Sequence, residues 1–225
     1  MTKSDFVKMV YYVRHPDKDH SNGKKQRTGK GGFSLGAKLG QWFRSANVVI
    51  TDIFAGELPR TWEGIVAFLA SLLPEKPFTV HEYLSIGNSN VFSGFFTKEV
   101  MDEVQNSGKT NWQALNAVHD IDTIKVFAKY ALDGLKDAFG AMQGDTAVIS
   151  GHSPVIEGAA WFASDMKMKI DRQPESCEGM IFGQKASGDI EFVDWITLPS
   201  KKEVKKDTEK IPDMDTYLKT QSSKK

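Results

Sequence analysis

The 225-residue chain has a single cysteine, Cys177, and no long apolar run. One thiol excludes an internal disulfide and fits a reducing compartment. No apolar stretch approaches the roughly 18–20 residues that a helical membrane span needs. The opening residues, MTKSDFVKMVYYV, lack the longer apolar run and small-residue cleavage site of a secretory leader. The expectation is a soluble, cytoplasmic protein. Neither charge is in excess, since 29 Lys and Arg balance 29 Asp and Glu. Such a chain has no global field to draw nucleic acid or an acidic membrane, so neither is expected as a partner. Any preference for anions must be local. No internal repeat is evident, and no pattern reports the oligomeric state.

What is present is an alternation of strand and helix signals. Phe6–Val13 is apolar, aromatic and β-branched and reads as a buried strand. A loop rich in Gly, Lys and Asp follows. Ser34–Ala46 carries Leu35, Leu39, Trp42 and Phe43 at helical spacing, with Ser34 as the expected N-cap. Asn47–Phe54 reads as a second strand and Thr61–Leu73 as a helix with Ile65, Phe68, Leu69 and Leu72 on one face. Phe78–Tyr83 is a candidate short strand, and Ser85–Asn111, rich in Ser, Asn and Gly, a candidate insertion or lid. Asp120–Met142 is a long amphipathic helix built on Ile124, Phe127, Ala131, Leu135 and Phe139. Ala147–Ser150 is the next strand and Val155–Ser164 the next helix. Gly179–Gln184 and Ile190–Ile196 flank KASGD as a hairpin. The pattern predicts a three-layer α/β/α fold, doubly wound around a mostly parallel sheet, over residues 1–199. Residues 200–225 are charged and nearly free of large apolar side chains, so a flexible tail is expected.

Two reactive side chains sit side by side in TAVISGHSPVIEGAA, on a turn between strand and helix. As a nucleophile elbow the stretch would make Ser153 the nucleophile, but Val155 stands where the second Gly belongs. That fold also supplies its histidine after the serine, and the five histidines, at 15, 20, 81, 119 and 152, all precede Ser153. Ser153 is thereby left without a general base. His152 instead lies at the carboxyl end of a strand, where open α/β sheets bind ligands. His15, preceded by Arg14, lies at the end of the first strand, and Arg60 opens the helix after the second. Two imidazoles and two guanidiniums at strand ends would form a cationic pocket suited to a phosphoryl group, because guanidinium forks match phosphate oxygens and a helix N-terminus adds amide donors.

On these residues the chain resembles the histidine phosphatase superfamily, also called phosphoglycerate-mutase-like. VYYVRHPDKDH stands where that family has a strand running into Arg-His-Gly. FSLGAKLGQWF is similar to its Leu-Thr-x-x-Gly helix. DIFAGELPRTWEGI is similar to its second-arginine segment, and TAVISGHSPVIEGA to its late strand ending in Gly-His or Ser-His. The order and spacing match from about Val7 to Pro199.

The resemblance implies a phosphomonoesterase that forms a phosphohistidine on His15. Arg14, Arg60 and His152 would hold the non-bridging oxygens, and neither a metal nor another cofactor would be required. It implies a small phosphorylated metabolite or a phosphoprotein as substrate. The leaving group's proton would come from Glu82, from Asp17 or from no carboxylate at all. The alternative is a catalytically silent member that binds a phosphorylated ligand or partner. The family pattern is broken at Pro16, which replaces the Gly after the nucleophile, and at Gly56 and Gly64, where Ser and Thr are common.

Other signals read as scaffold or solvent. HPDKDH crowds His15, Asp17, Asp19 and His20 too closely to enclose an ion easily. GKGG at 29–32 lacks the ending of a phosphate-binding loop. Lys18, Lys24, Lys25, Arg27 and Lys30 belong to a solvated loop or to a rim for a second anionic group. His81 and His119 are expected at the surface or an interface, and Trp112, Phe92, Phe95 and Phe96 in the core.

Overall fold

In the computed structural model, residues 5–16, 28–56, 58–72, 77–81 and 92–198 are described. Six strands form one mixed sheet: β1 (Lys8–Arg14), β2 (Asp52–Ala55), β3 (Thr79–His81), β4 (Thr146–Gly151), β5 (Gly179–Gln184) and β6 (Ile190–Ile196). Their order is β3-β2-β4-β1-β5-β6. The first four are parallel, whereas β5 runs antiparallel to β1, and β6 antiparallel to β5. The helices are α1 (Lys30–Ser45), α2 (Pro59–Leu72), α3 (Lys98–Ser107), α4 (Asn111–Val118), α5 (Ile121–Ala141) and α6 (Val155–Ala163).

Both faces of the sheet are covered, which is why the central strands read as unbroken apolar runs. Along β1 the side chains alternate. Val10 and Tyr12 join the core formed with α4, α5 and α6, whereas Met9, Tyr11 and Val13 join the core formed with α1 and α2. The β4 strand splits in the same way, with Ala147 and Ile149 to one layer and Val148 to the other. This is the doubly wound three-layer architecture expected from the alternation of strand and helix. No helix among the described residues is long and apolar enough to cross a membrane.

Several boundaries differ from expectation. The first helix starts four residues early, at Lys30 with Gly29 as its N-cap, and Ser34 is buried inside it rather than capping it. The second strand is confined to Asp52–Ala55 because ladder pairing, not β-propensity, sets its length. The stretch expected to be an insertion or lid contains a short 3₁₀ turn at Ser93–Phe95 and the helix α3, and α4 follows it directly. Thr97 caps α3 through Val100 N, and Thr110 with Gln113 forms a reciprocal capping box on α4. Phe92 and Trp112 are buried in the core as expected, with Phe95 and Phe96 packed against it. The expected tail, residues 200–225, lies outside the described residues.

Candidate active site

Strand register brings the two histidines together. In the parallel pair, Arg14 is opposite Gly151, so the next residues, His15 and His152, leave the sheet side by side. Their rings stand 4.8 Å apart between centroids, edge to face. The His15 backbone N–H donates to Gly151 O at 2.8 Å, which extends the ladder one residue beyond the strand. On the other side, β2 ends with Ala55 opposite Ser150, and Gly56 N donates to Ser150 O at 3.0 Å. The chain then turns into α2. Thr61, fully buried, donates its hydroxyl to Gly56 O and Leu58 O, both at 2.6 Å, and so fixes the turn that presents Arg60.

Arg60 reaches the histidine directly: its Nε donates to His15 Nε2 at 3.1 Å. The other ring nitrogen, Nδ1, lies 2.6 Å from Pro16 O. A carbonyl can only accept, so Nδ1 carries the proton; a guanidinium can only donate, so Nε2 presents its lone pair. The ring is therefore neutral, with its basic nitrogen facing the cations. Burial first, then the positive fields of His152 and Arg60, and last that of Arg14, push the imidazole pKa down to about 2, against an opposing pull from Pro16 O. Burial, reinforced by the charge of Arg14, also pushes the Arg60 guanidinium down to about 10. Arg14 is held from the far side, where its Nη1 donates to Pro174 O at 2.9 Å. The same segment grips its backbone: Arg14 N donates to Glu178 O, and Cys177 N to Arg14 O. Cys177 makes that approach in a left-handed conformation, φ 62°.

Arg14, His15, Arg60 and His152 are thus gathered at one edge of the sheet, although 138 positions separate the first from the last in sequence numbering (152 − 14). Glu82 and Asp17 lie outside the described residues. So do Asp19 and His20, and among the described residues no cluster of three or more His, Cys, Asp and Glu side chains could hold a metal ion. His81 is no surface residue. Its Nε2 lies 2.7 Å from Oδ1 of the fully buried Asp52, and its ring stacks on Phe54 at 4.2 Å. The Nε2 of His119 meets Phe95 O at 2.8 Å.

The substitution of Pro for Gly after His15 has a structural counterpart. A Cβ added at Gly64 would come within 2.6 Å of Pro16 Cδ. The ring of Pro16 therefore occupies the space that a side chain at 64 would need, so the two residues are sterically complementary. Two other features escaped the sequence reading. Pro174 and its neighbours hold Arg14, and nothing in their composition announces it. Glu157 is fully buried beside the pocket, and an acid within the apolar run VIEGAAWFA was the available signal.

Neither a protein-family model nor a curated protein matches the sequence. Solved structures do match. A phosphoserine phosphatase from Entamoeba histolytica, with a His-to-Ala substitution and bound phosphoserine, superposes with a TM-score of 0.57 at 12% identity, over 84% of this chain and 97% of that one. The protein histidine phosphatase SixA, complexed with tungstate, gives 0.51 at 9% identity, over 84% and 96%. A phosphoglycerate mutase from Bacillus anthracis gives 0.53 at 12% identity, over 93% and 100%. The chain has the fold of the histidine phosphatase superfamily. Open α/β sheets take ligands at the carboxyl ends of their strands, and it is at such ends, those of β1, β2 and β4, that the two imidazoles and two guanidiniums meet.

Proposed function

We propose that this protein is a metal-independent phosphomonoesterase that acts through a phosphohistidine intermediate on a small phosphorylated metabolite or a phosphoprotein. The observation that carries this reading is the state of His15. It is neutral, its Nδ1–H is anchored on Pro16 O, and its Nε2 lone pair faces Arg60. A nucleophile held in one tautomer and kept unprotonated by burial and by surrounding cations is ready to attack at neutral pH.

The chemistry follows from the geometry. A phosphate ester entering the pocket meets Arg14, Arg60 and His152, and Arg60 exchanges its bond to Nε2 for one to a phosphoryl oxygen. Nε2 attacks phosphorus, the P–O ester bond breaks, and the leaving oxygen takes a proton from an acid, for which Glu82 is the candidate. Water then attacks phosphorus and gives a proton to the acid that lost one, the N–P bond breaks, and phosphate and the free imidazole are released. Charge developing on the equatorial oxygens falls on groups already oriented towards them, so little reorganisation is needed.

A second reading, a pocket that binds phosphorylated ligands without turnover, is favoured by the same Arg60 contact, because it occupies the attacking lone pair. Hydrolysis of p-nitrophenyl phosphate with EDTA present separates the two. Turnover that vanishes in His15→Ala, with an acid-labile phosphoenzyme trapped on His15 in the native chain, supports the esterase. Phosphate binding without turnover supports the silent pocket. Absence of both refutes the two readings together.

A further inference from the structure

Glu157 has no part in the chemistry just described, yet it is fully buried one helical turn beyond the His152 turn. Ser153 Oγ donates to its Oε1 at 2.5 Å. Its other oxygen, Oε2, has no hydrogen-bond partner among the described residues. A buried carboxylate with one oxygen unsatisfied is costly, and the cost is commonly met either by a nearby cation or by keeping the proton. Arg14 is the cation acting on it. Ser153 also lies 3.5 Å from Gln173 Oε1, next to the Pro174 carbonyl that holds Arg14. The serine set aside as a nucleophile therefore sits between the His152 turn and the segment that anchors Arg14.

We propose that Glu157 is a positioning residue of the phosphate pocket: through Ser153 it fixes the turn that presents His152, and through its own charge it sets how much of Arg14's positive field an incoming oxyanion meets. This inference rests on the reading of the pocket as an oxyanion site. Burial pushes the Glu157 carboxyl up to about 7, against the Ser153 hydrogen bond and the Arg14 charge, which favour ionisation. Near neutrality the residue thus changes charge. Protonated, it leaves the positive field of Arg14 unopposed; ionised, it offsets part of that field.

The titratable and charged groups on the elements around it are few. Tyr12 and Arg14 come from β1, Glu191 and Asp194 from β6, His152 from the turn before its own helix, and Arg172, Glu175 and Glu178 from the segment that leads into β5. From α5 the neighbours are apolar, among them Phe127 and Ala128. His152 shares the pocket with His15, so the comparison must be between variants that all retain it.

Sulfate is a suitable probe because it remains a dianion across the range, unlike phosphate. Its affinity is measured by calorimetry from about pH 5.5 to about pH 8.5 for the native chain, Glu157→Gln and Ser153→Ala. At the acid end the native chain and Glu157→Gln bind alike. At the alkaline end the native chain binds more weakly than Glu157→Gln by a factor on the order of 3–10. Ser153→Ala moves the native inflection to higher pH, because the bond it removes favours the ionised carboxyl. A merely structural role would weaken Glu157→Gln equally at every pH, and parallel or superimposed profiles overturn the proposal. If Glu157→Gln does not fold, an unmoved inflection in Ser153→Ala overturns it and a raised one supports it. A native chain that binds no sulfate at any pH refutes the oxyanion pocket itself, an outcome distinct from the others.

Discussion

At the amino end of β2, Asp52 is buried and ringed by donors. Gln143 N at 2.8 Å, Gly144 N at 2.9 Å, the Thr51 hydroxyl at 2.8 Å and His81 at 2.7 Å all converge on its two oxygens. At the carboxyl ends of β1 and β4, Arg14, His15, Arg60 and His152 crowd one edge, and their positive fields oppose each other. In both clusters a pKa is lowered, for opposite reasons. Burial raises the Asp52 carboxyl, but its hydrogen bonds outweigh that effect and hold the charge in place. At His15, burial and repulsion keep charge out. One cluster is electrostatically complete and ties β2 to β3 and to the turn before β4. The other gathers positive charge at the sheet edge where α/β folds take ligands, and a dianion would relieve its repulsion.

The sharpest way to break this contrast is to remove the charge from each side. Asp52→Ala strands the Gln143 and Gly144 amides and the His81 ring and should cost about 3–5 kcal/mol of stability, read from denaturant unfolding, without a selective loss of oxyanion affinity. Arg60→Met should do the reverse. Turnover of p-nitrophenyl phosphate falls by about 10²–10³, while the unfolding midpoint holds or rises because a repulsive cation is gone. Gly64→Ala should cost about 1–3 kcal/mol through its clash with Pro16. Pro16→Gly in the same chain should recover most of that loss, which tests the steric complementarity of the two positions.

Smaller effects appear in the pH dependence of stability. The His15 pKa is lower in the folded chain than in the unfolded one. Its contribution is therefore complete above the ordinary imidazole value of 6.5 and is lost as pH falls towards about 2. Asp52 acts in the same direction, with its contribution complete above the ordinary carboxylate value and lost as pH falls from there through its lowered folded value. Glu157, with its pKa raised, acts oppositely: its contribution is complete below about 4.5 and is lost as pH rises through about 7. Thermal unfolding across pH should show His15→Gln flattening the acid limb and Glu157→Gln the neutral one. The converse assignment of limbs would refute these charge states. Least of all, Gly56→Ala adds a Cβ only 3.7 Å from His152 Nε2 and should leave stability nearly unchanged while trimming sulfate affinity about twofold or less.

The pocket was legible because each of its residues follows a strong local signal. Arg14-His15 ends an unmistakable strand, Arg60 opens an amphipathic helix and His152 follows another strand. The helices of 98–118 were less legible because their Ser, Asn and Gly content reads as loop, although Thr110 and Gln113 spelled a capping box in plain sequence. Ser34 was misplaced for a related reason: a serine at the head of an apolar stripe resembles an N-cap, but the helix had already begun at Lys30. His81 could not be assigned to Asp52, since the partners lie on adjacent strands and nothing local pairs them.

By itself the sequence determined the alternation of strands and helices, the three layers, and the residue types available at each strand end, because periodicity and turn chemistry act over a few residues. Only the tertiary structure decided that Arg14 would face Gly151 across a parallel ladder, that His15 would lose its proton to burial and repulsion, that Pro16 and Gly64 would share one space, and that Glu157 would be buried beside the His152 turn. Those outcomes depend on contacts between segments far apart in the chain. The energy of such contacts is set by distance and burial, which no local pattern encodes.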